Sequence, residues 1–202
     1  DLSKIEPQAS SACEVLYGTM DADKISRNVA ECIYTGIIHD TGVFKYSCTS
    51  KKTMEIAGEM MEKGIDYSDI IDNTFYKKTY VQNQILGRAL LESVLFYDGK
   101  CIFTTVTIDE MEFYGVTGRE LGGIVEQLRL TDGVEVAIFL YQTGEEEYKV
   151  SLRSKKKIDV AAIATQFGGG GHVRAAGYTA KGSVYQIINS IGELIEKQYN
   201  AM

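Results

Sequence analysis

Four consecutive glycines followed by a histidine, Gly168-Gly169-Gly170-Gly171-His172, form the stretch of this chain best suited to holding an anion. Without Cβ atoms such a run reaches positive φ and lets another group approach the backbone closely. Its successive N–H groups can form a concave anion site. His172 and Arg174 would add side-chain donors at the same place. A plain flexible loop is the competing reading, although such a loop has no need of the His-x-Arg-Ala-Ala-Gly found here. Arg153-Ser154 closes an expected strand. There the planar guanidinium fork matches phosphate oxygens and the serine offers a further donor. A solvated strand end beside Lys155-Lys156-Lys157 competes with that reading, because many surface arginines do nothing measurable.

Asp40, in His39-Asp40-Thr41-Gly42 at a helix end, carries a hard oxygen ligand suited to manganese or magnesium. Local context alone favours turn chemistry, since aspartate readily bonds its own nearby backbone. His39 could support such a ligand or simply be exposed. Asp21-Ala22-Asp23 has the form of a D-x-D metal pair, but helix capping explains it. Cys13, Cys32, Cys48 and Cys101 contain no C-x-x-C pair, so zinc-knuckle and redox-motif readings fail. Buried free thiols in a reducing, cytoplasmic setting are expected.

The elements that must position these residues follow from periodicity and capping. Ser11-Ala12-Cys13-Glu14 reads as a capping box opening a helix, with Ala12, Val15 and Leu16 on its apolar face. Asp21 or Asp23 caps a second helix with the stripe Ile25, Val29, Cys32, Ile33 and Ile37, ending before Asp40. Thr49 caps a third, carrying Met54, Ala57, Met60 and Met61 and stopped by Gly64. A short helix follows over 68–73, and the domain boundary is placed near 75–80. A longer helix runs over 81–94 on Ile85, Leu86, Ala89 and Leu90. Beyond it, strands at 95–97 and 101–108 flank Asp98-Gly99 as a hairpin, and strands at 134–141 and 148–152 form a second. Helices are expected over 120–128 and 158–167, a strand over 175–179, and a last amphipathic helix on Val184, Ile187, Ile188, Ile191, Leu194 and Ile195. The first third therefore reads as mainly helical and the rest as hairpins with helices on one side, an α+β second domain.

The 202 residues suit one domain or two small ones, and a 45% apolar share can build a sizeable core. A net charge of −7 argues against binding long duplex nucleic acid by phosphate neutralisation. It leaves small anions open, given a locally positive pocket. No signal peptide or long apolar run is present, so neither secretion nor a membrane partner is supported.

Ile33-Tyr34-Thr35-Gly36-Ile37-Ile38-His39-Asp40-Thr41-Gly42-Val43-Phe44 resembles the last motif of a DHH domain. Lys149-Val150-Ser151-Leu152-Arg153-Ser154 and Phe167-Gly168-Gly169-Gly170-Gly171-His172, with Ala175-Ala176-Gly177, resemble a DHHA1 domain. Ala9-Ser10-Ser11-Ala12-Cys13-Glu14 resembles a stretch lying shortly after the DHH triplet. Order and spacing are similar to the RecJ-like nanoRNases and pAp phosphatases among the DHH/DHHA1 phosphoesterases.

The resemblance implies a two-domain hydrolase of α/β and α+β class: the helical carboxyl-terminal part of a DHH domain over 1–75, then a DHHA1 domain over 76–202 with a mixed, mainly antiparallel sheet and flanking helices. It also implies two Mn2+ or Mg2+ ions and action on short single-stranded oligonucleotides or phosphorylated nucleotides such as pAp. By it, Asp40 matches a metal ligand, and Arg153, Ser154, Gly168, Gly169, Gly170, Gly171 and His172 match the substrate-gripping surface. Arg174 is added from its position. Relatives of this kind often pair as dimers, so by analogy a homodimer is one arrangement the resemblance allows. The Asp-His-His triplet and the two upstream aspartate motifs are absent from these residues. The resemblance is thus to a carboxyl-terminal portion, and the chain alone is expected to lack hydrolytic activity. Cyclic dinucleotide hydrolysis, and a nucleotide- or phosphate-binding module without catalysis, are the alternatives.

Overall fold

The computed structural model describes residues 3–201, and the chain divides into two compact units, Asp1–Lys78 and Thr79–Met202. The first is helical: α1 (Ala12–Tyr17), a 3-10 turn (Ala22–Lys24), α2 (Arg27–Thr41), α3 (Lys51–Glu62) and α4 (Tyr67–Ile71), which runs into a π-helical turn (Asp72–Tyr76). Its core is built from Ile33, Tyr34, Ile37 and Ile38 of α2 against Ile56, Ala57 and Met60 of α3.

Several faces are rotated from the periodic reading. Ser11 caps α1 by accepting the Glu14 N–H at 3.0 Å, but the Glu14 carboxylate does not close the box on Ser11. It accepts from the Ser10 hydroxyl at 2.6 Å and the Thr53 hydroxyl at 2.8 Å. Glu14 is therefore buried, while Ala12 and Leu16, expected inside, are exposed. α1 packs Cys13 and Tyr17 against the apolar core and turns Glu14 toward the polar start of α3. Asp21 caps only the 3-10 turn, and Ser26 stands at the N-cap of α2, which turns Val29 and Cys32 outward. Ser50, not Thr49, caps α3 in a reciprocal box with Thr53, leaving Met54 and Met61 exposed. α2 ends at Thr41 with Gly42 left-handed at φ 57°, so Asp40 lies inside the last helical turn rather than beyond it.

The second unit comprises α5 (Tyr80–Leu91), β1 (Val94–Phe96), β2 (Cys101–Val106), α6 (Ile108–Tyr114), α7 (Ile124–Arg129), β3 (Val136–Gly144), β4 (Glu147–Ser154), α8 (Val160–Gln166), β5 (Gly170–His172), β6 (Ala175–Lys181) and α9 (Val184–Asn200). The six strands form one sheet in the order β1-β2-β3-β4-β6-β5, with β2–β3 parallel and the other pairs antiparallel. A parallel pair needs a crossover, and α6 and α7 lie within it. Ile108, expected as strand, opens α6 instead, because Thr107 and Glu110 form a reciprocal capping box there.

Alternation decides which side chains each sheet face presents. Val136, Ile138, Leu140, Val150, Leu152, Ala176 and Tyr178 pack beneath α8 and α9 with Ile163, Ile187 and Ile191. On the opposite face, Ile102, Val106, Ala137 and Phe139 pack with Ile85 and Ala89 of α5 and Ile124, Val125 and Leu128 of α7. That second cluster reaches β2 and β3 only. α7 also packs against β4, so this face is open chiefly over β6 and β5. Helices thus lie on both sheet faces, not on one side as the sequence pattern suggests. Of the four cysteines only Cys101 is buried, its thiol pushed up to about 12 by burial and then by Glu135. Cys32 and Cys48 are exposed, which corrects the expectation of buried thiols throughout. Among the described residues no helix is long and apolar enough to cross a membrane.

Candidate functional site

The more open half of this face, bordered by α7 at β4, is made of the alternate residues of three adjacent strands. Arg153 of β4 lies opposite Ala175 of β6, which in turn lies opposite His172 of β5. Directly opposed residues in a ladder share a face. One row therefore carries Arg153, Ala175 and His172, with the outer two roughly 9–10 Å apart at two strand spacings. The next row on this face holds Ser151, Gly177 and Gly170. Small side chains thus make a floor, with a guanidinium on one side and an imidazole on the other. His172 and Gly170 are exposed, and Arg153, Ser151, Ala175 and Gly177 are half-buried. The alternate residues Val150, Leu152, Ala176 and Tyr178 are buried on the far side.

The glycine run is an edge strand rather than a loose loop. Gly170–His172 pairs with β6, after Gly168 turns the chain at φ 76°. A Cβ at Gly169 would sit 2.3 Å from the Gly177 carbonyl, and one at Gly171 would sit 2.4 Å from the Ala175 carbonyl. The close approach that glycine permits here is that of β6 itself. A Cβ at Gly170 would meet nothing within 4 Å.

Ser154 and Arg174 have another partner. Ser154 is 2% exposed and its hydroxyl donates to the Ile158 carbonyl at 2.6 Å. Arg174 Nη1 donates to the same oxygen at 2.7 Å. Both brace the segment that turns β4 into α8; the Ser154 hydroxyl is taken up there, while Arg174 is held by Nη1 and otherwise exposed. An anion-holding backbone nest does occur, but at this segment. The N–H groups of Lys156, Lys157 and Ile158 converge on Glu135 Oε1 at 2.8, 2.5 and 3.2 Å. Lys155, expected in solvent, donates to the Thr131 carbonyl at 2.9 Å, while Lys156 and Lys157 are exposed.

Arg153 is held from two sides. Its Nε donates to Glu126 Oε1 of α7 at 2.5 Å and its Nη1 to the Leu152 carbonyl at 3.0 Å. Glu126 was not singled out in the sequence, and no local spacing marks it, since its partner is 27 residues away.

In the helical unit Asp40 is exposed, and His39 Nε2 lies 3.0 Å from Thr74 Oγ1 of the π-helical turn. Among the described residues no group of three histidine, cysteine, aspartate or glutamate side chains is placed to hold a metal ion. Asp40 offers one carboxylate, and these residues do not fit a two-ion centre.

A profile of the DHHA1 domain matches residues 98–198. The chain is 28% identical over 182 residues to the bifunctional oligoribonuclease and PAP phosphatase NrnA of Bacillus subtilis, covering 88% of this chain and 57% of that protein. It is 29% identical over 184 residues to the protein of the same name from Thermus thermophilus, covering 90% and 54%. The chain thus spans about half the length of the curated relatives it matches. Among solved structures, an exopolyphosphatase-related protein from Bacteroides fragilis superimposes with a TM-score of 0.87 at 27% identity, over 95% of this chain and 58% of that one.

Proposed function

This chain belongs to the DHHA1-domain family, and from that premise we propose that it grips the substrate of a DHH-type phosphoesterase acting on short oligoribonucleotides and on pAp. The observation that carries this reading is the row Arg153, Ala175, His172 on the more open half of the sheet face. A floor of glycine, alanine and serine lets a sugar-phosphate backbone lie against the strands. Arg153 supplies charge-assisted hydrogen bonds to a phosphate oxygen. His172 supplies a ring donor or acceptor from the edge strand, and Gly170 leaves room beside it. Ser154 and Arg174 act one step back, fixing the turn that follows β4. Metal dependence on Mn2+ or Mg2+ belongs to the same proposal, but no hydrolytic step is assigned to the residues described, because Asp40 by itself cannot hold two dications. The proposed partners are short single strands and phosphorylated nucleotides rather than long duplexes.

Titrating the chain with pAp, a linear diribonucleotide and a cyclic dinucleotide tests the proposal. Arg153→Ala should weaken binding of whichever ligand is held by about 1.5–3 kcal/mol, the value of a charge-assisted contact. Equal affinity in wild type and variant for all three would remove Arg153 from the site. Preferential binding of the cyclic ligand would move the substrate to cyclic dinucleotides.

A further inference from the structure

Arg153 shares its carboxylate with a second arginine. Glu126 Oε1 accepts from Arg153 Nε at 2.5 Å, and Glu126 Oε2 accepts from Arg129 Nε at 3.0 Å and Nη2 at 2.9 Å. The carboxylate is fixed between two guanidiniums on the α7 side of the floor. None of the three is fully buried, with Glu126 38%, Arg153 27% and Arg129 20% exposed. Such pairs contribute little to stability. Their consequence is for what Arg153 can hold.

With Nε on Glu126 and Nη1 on the Leu152 carbonyl, Nη2 is the Arg153 nitrogen left for a ligand. An oxygen bound there lies roughly 5–7 Å from the Glu126 carboxylate, from hydrogen-bond lengths and the width of a guanidinium. At that range the carboxylate repels a ligand in proportion to the ligand's charge. A phosphodiester carries one negative charge, whereas a terminal phosphomonoester carries about −1.5 to −2 at neutral pH.

We infer that Glu126 is a specificity-determining residue that sets the balance between phosphodiester and phosphomonoester ligands, holding the dianion back by partly neutralising Arg153. This rests on the reading of the half-face as the substrate floor. Two cations and one anion leave the cluster with a single net positive charge, which attracts a dianion less strongly than two unpaired guanidiniums would. Removing the carboxylate charge leaves two positive charges, and the gain is larger for the more highly charged ligand.

The experiment titrates the 202-residue chain with two probes that carry one phosphate each, AMP (a monoester) and the dinucleoside monophosphate ApA (a diester). Wild type, Glu126→Gln, Glu126→Asp and Arg153→Ala are compared, with circular dichroism confirming that each folds. Glu126→Gln should tighten AMP by about tenfold and ApA by about threefold at low salt, the gap narrowing as salt rises. Glu126→Asp keeps the charge and should keep the wild-type AMP/ApA ratio. If Glu126→Gln weakens both probes, or shifts both equally, or if Glu126→Asp shifts the ratio as Gln does, the charge role is wrong and Glu126 merely orients Arg153. Should Arg153→Ala leave both affinities untouched, the floor itself is misplaced and this inference goes with it. A loss on Arg153→Ala with an unmoved ratio in Glu126→Gln would overturn the Glu126 role alone.

Discussion

Gly170 and Gly171 are neighbours with opposite demands. At Gly171 a Cβ would collide with the Ala175 carbonyl at 2.4 Å, and the backbone sits at φ 147°. Gly171→Ala should therefore lower stability by about 2 kcal/mol or more, from overpacking and backbone strain together. At Gly170 a Cβ meets nothing within 4 Å, so Gly170→Ala should change stability by about 0.5 kcal/mol or less. Denaturant unfolding of the two variants checks the contrast, and comparable losses would mean that β5 is not paired as described. The presence of the glycine run, of Arg153 and of His172 could be read directly from residue types. The work that each does could not. The nest on Glu135 and the Glu126 pair join residues more than 20 positions apart, with no local spacing to betray them. Ser154 and Arg174 looked like ligand donors because the carbonyl that claims them, Ile158, carries no signature in sequence.

Capping explains most of the differences at the level of elements. The alternation of the paired strands and the stripe of α9 were evident, because periodic burial writes itself into sequence. α6 was not, since a seven-residue helix directly after a strand has too few turns to show a period. α1 shows how a short helix can invert the rule, presenting a carboxylate inward. Burial pushes the Glu14 carboxyl up, but hydrogen bonds from Ser10 and Thr53, then the charge of Lys52, outweigh it and hold it below the ordinary 4.5. A lowered folded value means that this contribution is complete above about pH 4.5 and is lost as pH falls through the lowered value. Glu14→Gln should accordingly flatten the acid limb of stability while leaving a lower plateau near neutrality. Thermal melts of both proteins between about pH 3 and pH 7 test this, and parallel acid limbs would show that Glu14 does not contribute.

At the scale of the molecule, each unit has a core of its own. Residues 79–202 contain both sheet-face clusters, and Asp1–Lys78 contains the third. A domain with its own core can fold alone, so the 79–202 fragment should melt cooperatively and keep near-UV aromatic dichroism. A featureless melt would show that the sheet depends on the helical unit. The strand and helix pattern predicts hairpins with helices on one side, and the resemblance implies a mixed sheet. The helices on both faces and the half-covered face are settled only by the β2–β3 crossover, which no local pattern shows. That half-face is the centre of the functional account. Its most direct test is an NMR titration of the isotope-labelled chain with pAp. Amide shifts concentrated at Ser151, Arg153, Gly170, His172, Ala175 and Gly177, with Ile187 and Ile191 of α9 unmoved, are the predicted result. Shifts centred on the α9 side, or none at saturating ligand, would contradict it.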